Sequence, residues 1–536
     1  MTPQLNNHLT SIMVMASDDE PQCTKDEITL VVLTISLLFV LAILHHNFQM
    51  SKRAPAMPPG PRTFPIVGFL PHLQRGQAHK QITDMARTYG PIFKVWLGTK
   101  LHIVINTPEL VKEVVHNHGE NFANRSQLLA ASVVTYGGQD VVWSDNTPTW
   151  RKLRKLLVHE VLSNKNLEAS RSFRRDEVRK TIKDVYGRVG TVIDLNEISF
   201  STEANVLTRM VWENSADGPS GAEFRTAVTK VLEIIGRLNV SDYIPSLAWF
   251  DLQGVERDIT KEMKNLNRIF TNIIDDRIKS NSEKLAVGHD HEGGKKDLLQ
   301  ILLEIKEQKA DAKSLEITNV DIKALLIDIM IGGTDSTTTV IEWTMALIMQ
   351  NHDVMVRVQE ELTQVVGANN IVEESDIPKL KYLDATIKES MRLHPVFSLV
   401  PRSSSQTCEV GGYTIPKGSI IILNAWGIHR DPQYWDNPLD FNPERFLDHD
   451  GTEKYDFRGN NLKFIPFGSG RRLCLGVPLA EKMQMYILAS LLHSFDWRLP
   501  EGEEHDLSDT YGIMLRKKKP LTAIPSRRLP NINLYM

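Results

Sequence analysis

The chain has 536 residues, a net charge of −4 and 24% charged residues. Its length exceeds the usual limit of a single hydrophobic core and favours two or more domains. The mildly acidic balance excludes the basic surface on which nucleic-acid-binding proteins rely. Its three cysteines, Cys23, Cys408 and Cys474, are too few and too scattered for a disulfide framework or a zinc site, which indicates a reducing, cytosol-facing compartment.

The N-terminal part of the chain predicts a membrane anchor. Residues 28–44 form an uncharged, apolar run of about the minimum length, roughly 17 residues, that a helix needs to cross a bilayer. Acidic residues precede the run and basic residues follow it without a small-residue cleavage site, which argues against a cleaved signal peptide. The basic flank predicts a cytosolic main body and a lumenal extension over residues 1–27. The basic and proline-rich residues 45–68 predict a semi-rigid hinge before a globular domain over residues 69–536.

The first part of the globular domain has two features of interest. Residues 93–105 have β character with a turn at Gly98-Thr99, and helical periodicity dominates from about residue 108. Residues 127–144 are apolar without a helical stripe and predict a loop that lines a pocket. Trp150 and Arg154 lie four residues apart, on one face of a strongly basic helix. On charge pattern alone, that helix is an ordinary solvated one.

A long helical pattern over residues 319–349 is interrupted by Gly332-Gly333, which Asp335 and Ser336 follow. A glycine costs a helix about 1 kcal/mol relative to alanine, so a pair suits a purely structural helix poorly. The pair predicts a local widening or kink that opens a groove. The carboxylate and the hydroxyl beside it have the chemistry of a proton relay. The alternative is a kinked core helix whose hydroxyls bond back to its own carbonyls.

Glu389 and Arg392 are three residues apart and therefore share a helix face. Such pairs are common on helix surfaces, but here Arg445 follows in the segment Phe441-Asn-Pro-Glu-Arg445-Phe446, ahead of a distinctive cysteine loop. The ordered set predicts a buried, paired charge cluster with a structural role. Between its parts, residues 409–423 predict a β-hairpin.

The cysteine loop, residues 464–476, reads FIPFGSGRRLCLG and precedes a long apolar run. A lone cysteine is usually an inert, buried side chain. Here Cys474 lies in the pattern Phe467-x-x-Gly470-x-Arg472-x-Cys474-x-Gly476, a glycine-rich, basic turn at a helix start. Such a turn presents a thiolate to a metal, as haem iron requires, and its glycines let peptide N–H groups approach the sulfur.

Together, the cysteine loop, the Glu-x-x-Arg motif with Arg445, and the Trp150/Arg154 pair resemble the signature of the cytochromes P-450. The resemblance extends from the anchor to about residue 525. Within the family, the chain is similar to the plant microsomal A-type group that acts on terpenoid and phenolic specialised metabolites. This resemblance implies a mainly α fold, a helical prism with a small β-rich region plus an N-terminal transmembrane helix, in place of two domains. It also implies a single-pass protein of the endoplasmic reticulum membrane whose catalytic domain, residues 69–536, faces the cytosol.

The resemblance implies a haem-thiolate monooxygenase that inserts one oxygen atom from O2 into a hydrophobic small molecule. Electrons would come from NADPH through a separate NADPH–cytochrome P-450 reductase. The expected site is Cys474 as the axial ligand of heme b, Asp335 and Ser336 as the catalytic proton relay, and Phe467 as a cover for the haem. The expected haem-propionate contacts are Trp150, Arg154, Arg402 and Arg472. The expected substrate pocket is lined by Leu129, Val133, Met330, Ile331, Phe397, Leu399, Ile513 and Met514.

Ser336 departs from the threonine that is usual in this family. The hydroxyl is kept, but the methyl group that fixes the rotamer is lost, which predicts looser coupling of electron use to product. Two other functions remain open. A related enzyme that rearranges hydroperoxides without O2 or a reductase would depart from the Asp335-Ser336 pattern and carry an altered cysteine loop. A non-catalytic haem sensor would not need the acid–alcohol pair.

Overall fold

The structure, a computed structural model, describes residues 57–536 except 75, 213–218, 287–296, 308–316 and 448–454, together with Thr34, Ser36, Leu38 and Phe39. These four residues of the predicted anchor are helical and exposed. The rest of the anchor, 28–44, and the predicted lumenal extension, 1–27, lie outside the described residues. Residues 57–536 form one compact unit, so the expectation of two domains from length alone is wrong.

Helices make up most of this unit, which confirms the mainly α fold. They are α1 (Ala78–Tyr89), α2 (Pro108–Lys112), α3 (Leu129–Val134), α4 (Pro148–Glu160), α5 (Asn164–Ala169), α6 (Arg171–Gly187), α7 (Leu195–Trp212), α8 (Pro219–Ile235), α9 (Val240–Tyr243), α10 (Val255–Ala286), α11 (Leu298–Glu307), α12 (Asn319–Gln350), α13 (His352–Val365), α14 (Lys381–Leu393), α15 (Ala425–Ile428) and α16 (Val477–Ser494). Short 3-10 turns include Pro245–Phe250, Pro443–Phe446 and Gly470–Arg472.

The strands form small sheets at the edge of the helical body. They are β1 (Ile92–Leu97), β2 (Lys100–Ile105), β3 (Ile193–Asp194), β4 (Leu399–Ser403), β5 (Cys408–Val410), β6 (Tyr413–Ile415), β7 (Ile420–Asn424), β8 (Phe495–Arg498), β9 (Asp509–Tyr511), β10 (Leu515–Lys517) and β11 (Thr522–Arg527). The largest sheet has the order β1-β2-β7-β4, in which β2 and β7 are parallel and the other pairs antiparallel. The predicted hairpin is β5–β6, whereas Ile420–Asn424 joins the larger sheet.

The last part of the predicted hinge lies against the β1–β2 hairpin. Lys94 N donates to Pro59 O (2.7 Å), and Gly98 N donates to Val67 O (3.1 Å). Residues 57–68 are therefore part of the compact unit, and only residues 45–56 of the predicted hinge lie outside the described part of the chain.

Helix α12 is the central helix of the core. It begins with a capping box between Thr318 and Asp321, and it packs against α7, α14 and α16. Among the described residues it is the one helix long and apolar enough to cross a membrane, but 67% of its most apolar window is buried inside the unit. That burial is what a core helix requires.

Helix α12 continues through Gly332-Gly333, and a local widening or kink at the pair stays a prediction. A Cβ at Gly333 would lie 2.7 Å from Leu207 Cδ1 of α7. Gly333 therefore allows α12 and α7 to pack closely. This packing explains the glycine without a kink.

Residues 127–144 were expected to be a loop, but they contain helix α3. Its residues Ala130, Ala131 and Val134 are buried, and it packs against both α8 and α10. A short helix covered by neighbours on more than one side has no polar face. For that reason its sequence shows no helical stripe.

Candidate active site

The cysteine loop is a set of tight turns in front of α16. Leu473 N donates to Gly470 O (3.0 Å), and Cys474 N donates to Phe467 O (3.1 Å). Gly470 has a φ of +67°, and a Cβ there would lie 2.7 Å from Val115 O. Only glycine fits such a close approach without strain, so the loop fixes the position from which Cys474 is presented.

Burial, the largest influence, raises the pKa of the Cys474 thiol above its usual value. The backbone N–H groups of Gly476 and Val477 and the guanidinium of Arg154 oppose that rise. The side chain of Cys474 keeps accessible surface. This environment suits a thiolate that becomes charged when it binds a metal.

A cluster of arginines lies beside the loop, and we call it the arginine cluster: Arg125, Arg154, Arg402 and Arg472. Each donates to a backbone carbonyl. The distances are 3.2 Å from Arg125 Nε to Val142 O, 2.6 Å from Arg154 Nη2 to Leu473 O, 3.2 Å from Arg402 Nη2 to Ser469 O and 2.5 Å from Arg472 Nε to Ala123 O. In the described part of the chain, no carboxylate forms an ion pair with any of these arginines.

The arginine cluster carries an excess of positive charge. Burial lowers the pKa of all its members, to about 10 for Arg125 and about 9 for Arg472, and neighbouring arginines lower the pKa of Arg125, Arg402 and Arg472 further. Arg402 Nη1 is buried without a hydrogen-bond partner. Uncompensated cations and a free buried donor call for an anionic group. Together with the Cys474 thiol, these residues fit a haem, whose propionates supply that charge.

Trp150 supports the arginine cluster through a hydrogen bond of its indole and through the contact of its ring with Arg472. Its indole Nε1 donates to Val141 O (2.9 Å), and the guanidinium of Arg472 lies 4.0 Å from the ring centre. A direct contact between Trp150 and a propionate stays a prediction. Arg125, by contrast, was missed from the sequence, because a single arginine between Asn124 and Ser126 gives no distinguishing signal.

Glu389, Arg392 and Arg445 form an ion-paired network. Glu389 Oε2 lies 2.7 Å from Arg392 Nε, and Glu389 Oε1 lies 3.3 Å from Arg445 Nε. Arg392 Nη1 also donates to His429 O and Pro438 O, both at 2.7 Å. Glu389 and Arg392 have no exposed side-chain surface, so their charges depend on each other for solvation.

One face of α12 remains accessible although most of the helix is buried. Asp328, Gly332 and Ser336 lie at successive turns on this face, and each keeps accessible surface. A Cβ at Gly332 would meet nothing within 4 Å, so open space lies beside it. Ser336 Oγ donates to Gly332 O (2.7 Å). A hydroxyl that bonds back to its own helix is what a purely structural core helix would show, but Ser336 lies on an accessible face.

Asp335 is buried and pairs with Arg516 of β10. Burial raises the pKa of this carboxyl, and the charge and hydrogen bond of Arg516 lower it. Strand β10 is itself tied in place, since Trp343 Nε1 donates to Leu515 O (3.2 Å) and Leu515 N donates to Val396 O (2.8 Å). Arg516 lies far from Asp335 along the chain, so no local pattern indicates this pair.

Most of the predicted pocket residues belong to one hydrophobic core. Met330 and Met514 are buried in it, and the partly buried residues packed against it include Leu129, Val133, Ile331 and Ile513. Leu399 is different, because it packs with Phe93 and Val95 in the core of the sheet. The side chain of Phe397 is 41% exposed, and Phe467 meets the edge of Phe457 at a ring-centre distance of 5.1 Å.

Comparisons with known proteins extend over nearly the whole compact unit. Residues 58–524 match the family model described as Cytochrome P450. The chain is 38% identical to flavonoid 3',5'-hydroxylase of Campanula medium over 492 residues, which cover 88% of this chain and 92% of that protein. It is 34% identical to geraniol 8-hydroxylase of Catharanthus roseus over 503 residues, 92% of this chain and 98% of that protein. A solved zebra fish cytochrome P450 with abiraterone superposes with a TM-score of 0.70 at 26% identity, over 84% of this chain and 99% of that one.

The fold, the thiol loop and the arginine cluster agree with these similarities, and the match covers most of the chain. The chain therefore belongs to the cytochrome P450 family, as a haem-dependent monooxygenase related to the plant enzymes of specialised metabolism.

Proposed function

We propose that this enzyme inserts one oxygen atom from O2 into a neutral, hydrophobic molecule of the phenolic or terpenoid class. The observation that carries the proposal is the Cys474 thiol set beside an arginine cluster that lacks carboxylate partners. The substrate class follows from the relatives, whose names specify flavonoids and geraniol. Met330, Ile331 and Met514, which belong to the apolar core, would line a pocket that suits both kinds of molecule.

Cys474 would bind the iron of heme b, and the arginine cluster would hold the propionates. When bound, the haem supplies the centre at which dioxygen is reduced and activated. Phe467 would cover the cofactor on the side of the cysteine loop. Glu389, Arg392 and Arg445 keep that side of the protein in place through their buried ion pairs.

Asp335 and Ser336 act as the proton relay. Asp335 takes up and releases a proton beside α12; burial makes the carboxyl hold that proton more readily, and Arg516 opposes this effect. Ser336 receives a proton from Asp335 and gives its own hydroxyl proton to a water molecule in the open space beside Gly332, once the hydroxyl turns away from the Gly332 carbonyl.

The electron donor is a separate NADPH–cytochrome P450 reductase that docks on the basic face of α4. Arg151, Lys152 and Lys155 are exposed there, and Arg471 of the cysteine loop is exposed as well. Glu120 is the acidic group near this surface, 3.7 Å from Arg151 and 4.0 Å from Arg471. A cationic surface next to the cysteine loop suits an acidic partner protein.

The enzyme is anchored in the endoplasmic reticulum membrane by residues 28–44, with its catalytic domain in the cytosol. An apolar surface supports contact with a lipid bilayer, since Trp249 is 79% exposed and Phe250 and Leu252 are more than half exposed. Phe64 and Ile66 add to this surface beside the same β1–β2 hairpin, where Tyr243 O accepts a hydrogen bond from Thr99 N (2.9 Å). Exposed apolar patches of this kind mark interaction sites.

The test is expression of the full chain in membranes with a plant reductase, followed by separate feeding of flavonoids and monoterpene alcohols. We expect a hydroxylated product, NADPH consumption that tracks it, and a reduced, carbon-monoxide-bound spectrum of the thiolate type. Conversion of a hydroperoxide without NADPH would identify the rearranging enzyme instead. A thiolate spectrum without turnover of any substrate would identify the sensor.

A further inference from the structure

The segment 138–144 lies between the accessible face of α12 and the arginine cluster. We propose that Asp140 and Asp328 share one proton and act as positioning residues, holding this segment so that its carbonyls align the arginine cluster. The proposal rests on the proposed role of that cluster in binding haem. It assigns a function to two carboxyl groups that the proton relay and the substrate pocket leave unused.

Asp328 connects the segment to α12. Its Oδ2 accepts a hydrogen bond from Val141 N (2.7 Å), and its carboxyl also bonds to Asp140. Asp328 lies one turn before Gly332 on the accessible face of the helix. The segment is thereby attached to a helix that lies mostly buried in the core.

The two carboxyl groups differ in their partners. Asp140 is fully buried and accepts from Trp143 N (2.7 Å), Ser144 N (2.8 Å) and Ser144 Oγ (2.8 Å). These contacts hold the Asp140 carboxyl against the backbone of its own segment. Burial, the nearby negative charge of Asp140 and a hydrogen bond between the two carboxyl groups raise the pKa of Asp328 well above its usual range. Two carboxyl groups in contact favour one shared proton, because two negative charges would repel each other.

The carbonyls of the segment are the acceptors for the arginine cluster. Val141 O accepts from Arg472 Nη1 (3.4 Å), Ser144 O accepts from Arg472 Nη2, and Val142 O accepts from Arg125 Nε (3.2 Å). The Trp150 indole, which supports Arg472, also donates to Val141 O. A shift of the segment would therefore move two cluster arginines and the indole at the same time.

The surrounding charges suit a pair with a single negative charge. Arg125 and Arg472 are the cations that interact with Asp140, and Asp145 is the other acid close to Arg472. Asp145 Oδ1 accepts from Arg125 N (3.1 Å). A second ionised carboxyl at Asp328 would repel Asp140 and would place negative charge one turn from the open space beside Gly332.

The test compares Asp328→Asn, Asp328→Leu and Asp140→Asn with the wild type and with Asp276→Asn, which removes an exposed carboxylate on α10. The full-length holoenzyme is mixed with excess apomyoglobin, and haem transfer is followed by absorbance. An asparagine at 328 can still donate to Asp140 and accept from Val141 N. We therefore expect Asp328→Asn to lose haem about tenfold more slowly than Asp328→Leu or Asp140→Asn.

Infrared difference spectroscopy on the same proteins gives a readout that a general loss of stability would not produce. We expect the wild type to show the carbonyl band of a protonated carboxylic acid and Asp328→Asn to lack it. Equal haem loss in Asp328→Asn and Asp328→Leu, or a band unchanged by the substitution, would overturn the proposal. If Asp328→Leu or Asp140→Asn fails to fold, the infrared comparison of the wild type with Asp276→Asn and Asp328→Asn still tests the shared proton. A wild-type protein without a thiolate-type spectrum would refute the proposed function, whereas the infrared band tests the shared proton by itself.

Discussion

The two faces of the proposed haem site are held by different kinds of contact. On the cysteine side, Glu389 and Arg392 have no exposed side-chain surface, and Gly470 lies too close to Val115 to accept any side chain. On the α12 side, the hydrogen bond of Ser336 in the described part of the chain is to its own helix, and the partner of Asp335 is an arginine whose side chain is 37% exposed. The cysteine side, which we call the fixed face, tolerates change poorly, because its buried charges must stay paired. The α12 side, which we call the adjustable face, is less constrained, and in the proposed function proton delivery and substrate choice depend on it.

The strongest challenge to the fixed face is Cys474→Ser. We expect complete loss of the thiolate-type carbon monoxide spectrum and of product formation, since a hydroxyl at this position does not supply a thiolate. Cys408→Ser, at a half-buried position in β5, is the matched control and should behave as the wild type. Product formation by Cys474→Ser would show that the loop does not provide the iron ligand.

Glu389→Gln tests the buried ion pairs of the same face. Removing one partner leaves Arg392 buried and uncompensated, so we expect the free energy of unfolding to fall by about 3–5 kcal/mol. The matched control is Glu168→Gln, which breaks a mostly exposed pair with Arg171 at the same spacing and should cost about 0.5 kcal/mol or less. Denaturant titration of both variants measures the difference, and similar costs would contradict a special role for Glu389.

Arg516→Gln probes the adjustable face through pH. Arg516 lowers the pKa of Asp335 and burial raises it, so removal of the arginine leaves burial unopposed and the pKa rises. Asp335 then stays protonated to higher pH, and the alkaline decline of product formation should move to higher pH. Lys518→Gln, an exposed neighbour on the same segment, should leave the profile in place. A shift to lower pH would contradict the role of Asp335 as a proton donor.

Ser336→Ala has the smallest expected effect. Loss of the hydroxyl should lower the product formed per NADPH and raise hydrogen peroxide release by about two- to tenfold, because one step of the relay disappears. Ser336→Thr restores the methyl group and should reduce peroxide release below that of the wild type. Peroxide and product are measured in the same reaction, and unchanged values in Ser336→Ala would remove Ser336 from the relay.

The sequence predicted the fixed face far better than the adjustable one. Cys474, Gly470 and Arg472 occur in one short segment, and Glu389 and Arg392 share a helix face, so each set forms a local motif that the family resemblance identifies. Arg516 reaches Asp335 across much of the chain, and Asp140 meets Asp328 only when a loop packs on a core helix. Contacts of this kind depend on tertiary structure and leave no periodic pattern.

Two features of the core could not be predicted from local sequence, for the same physical reason. The apolar helix Leu129–Val134 was expected to be a loop, and the close packing of Gly333 against another helix was not expected. In both places a neighbouring helix supplies what the local sequence lacks. Helices α8 and α10 cover α3, and Leu207 packs into the space that Gly333 leaves free.

The attachment of β10 has a consequence for how the enzyme uses reductant. Leu515 is bonded on one side to Trp343 of α12 and on the other to Val396, while Ile513 and Met514 precede it and Arg516 follows it. A ligand that contacts Ile513 or Met514 can therefore shift the neighbouring Arg516, which is the partner of Asp335. A ligand that fits poorly would not shift Arg516, and its oxidation would release more peroxide for each NADPH than the oxidation of a ligand that fits well.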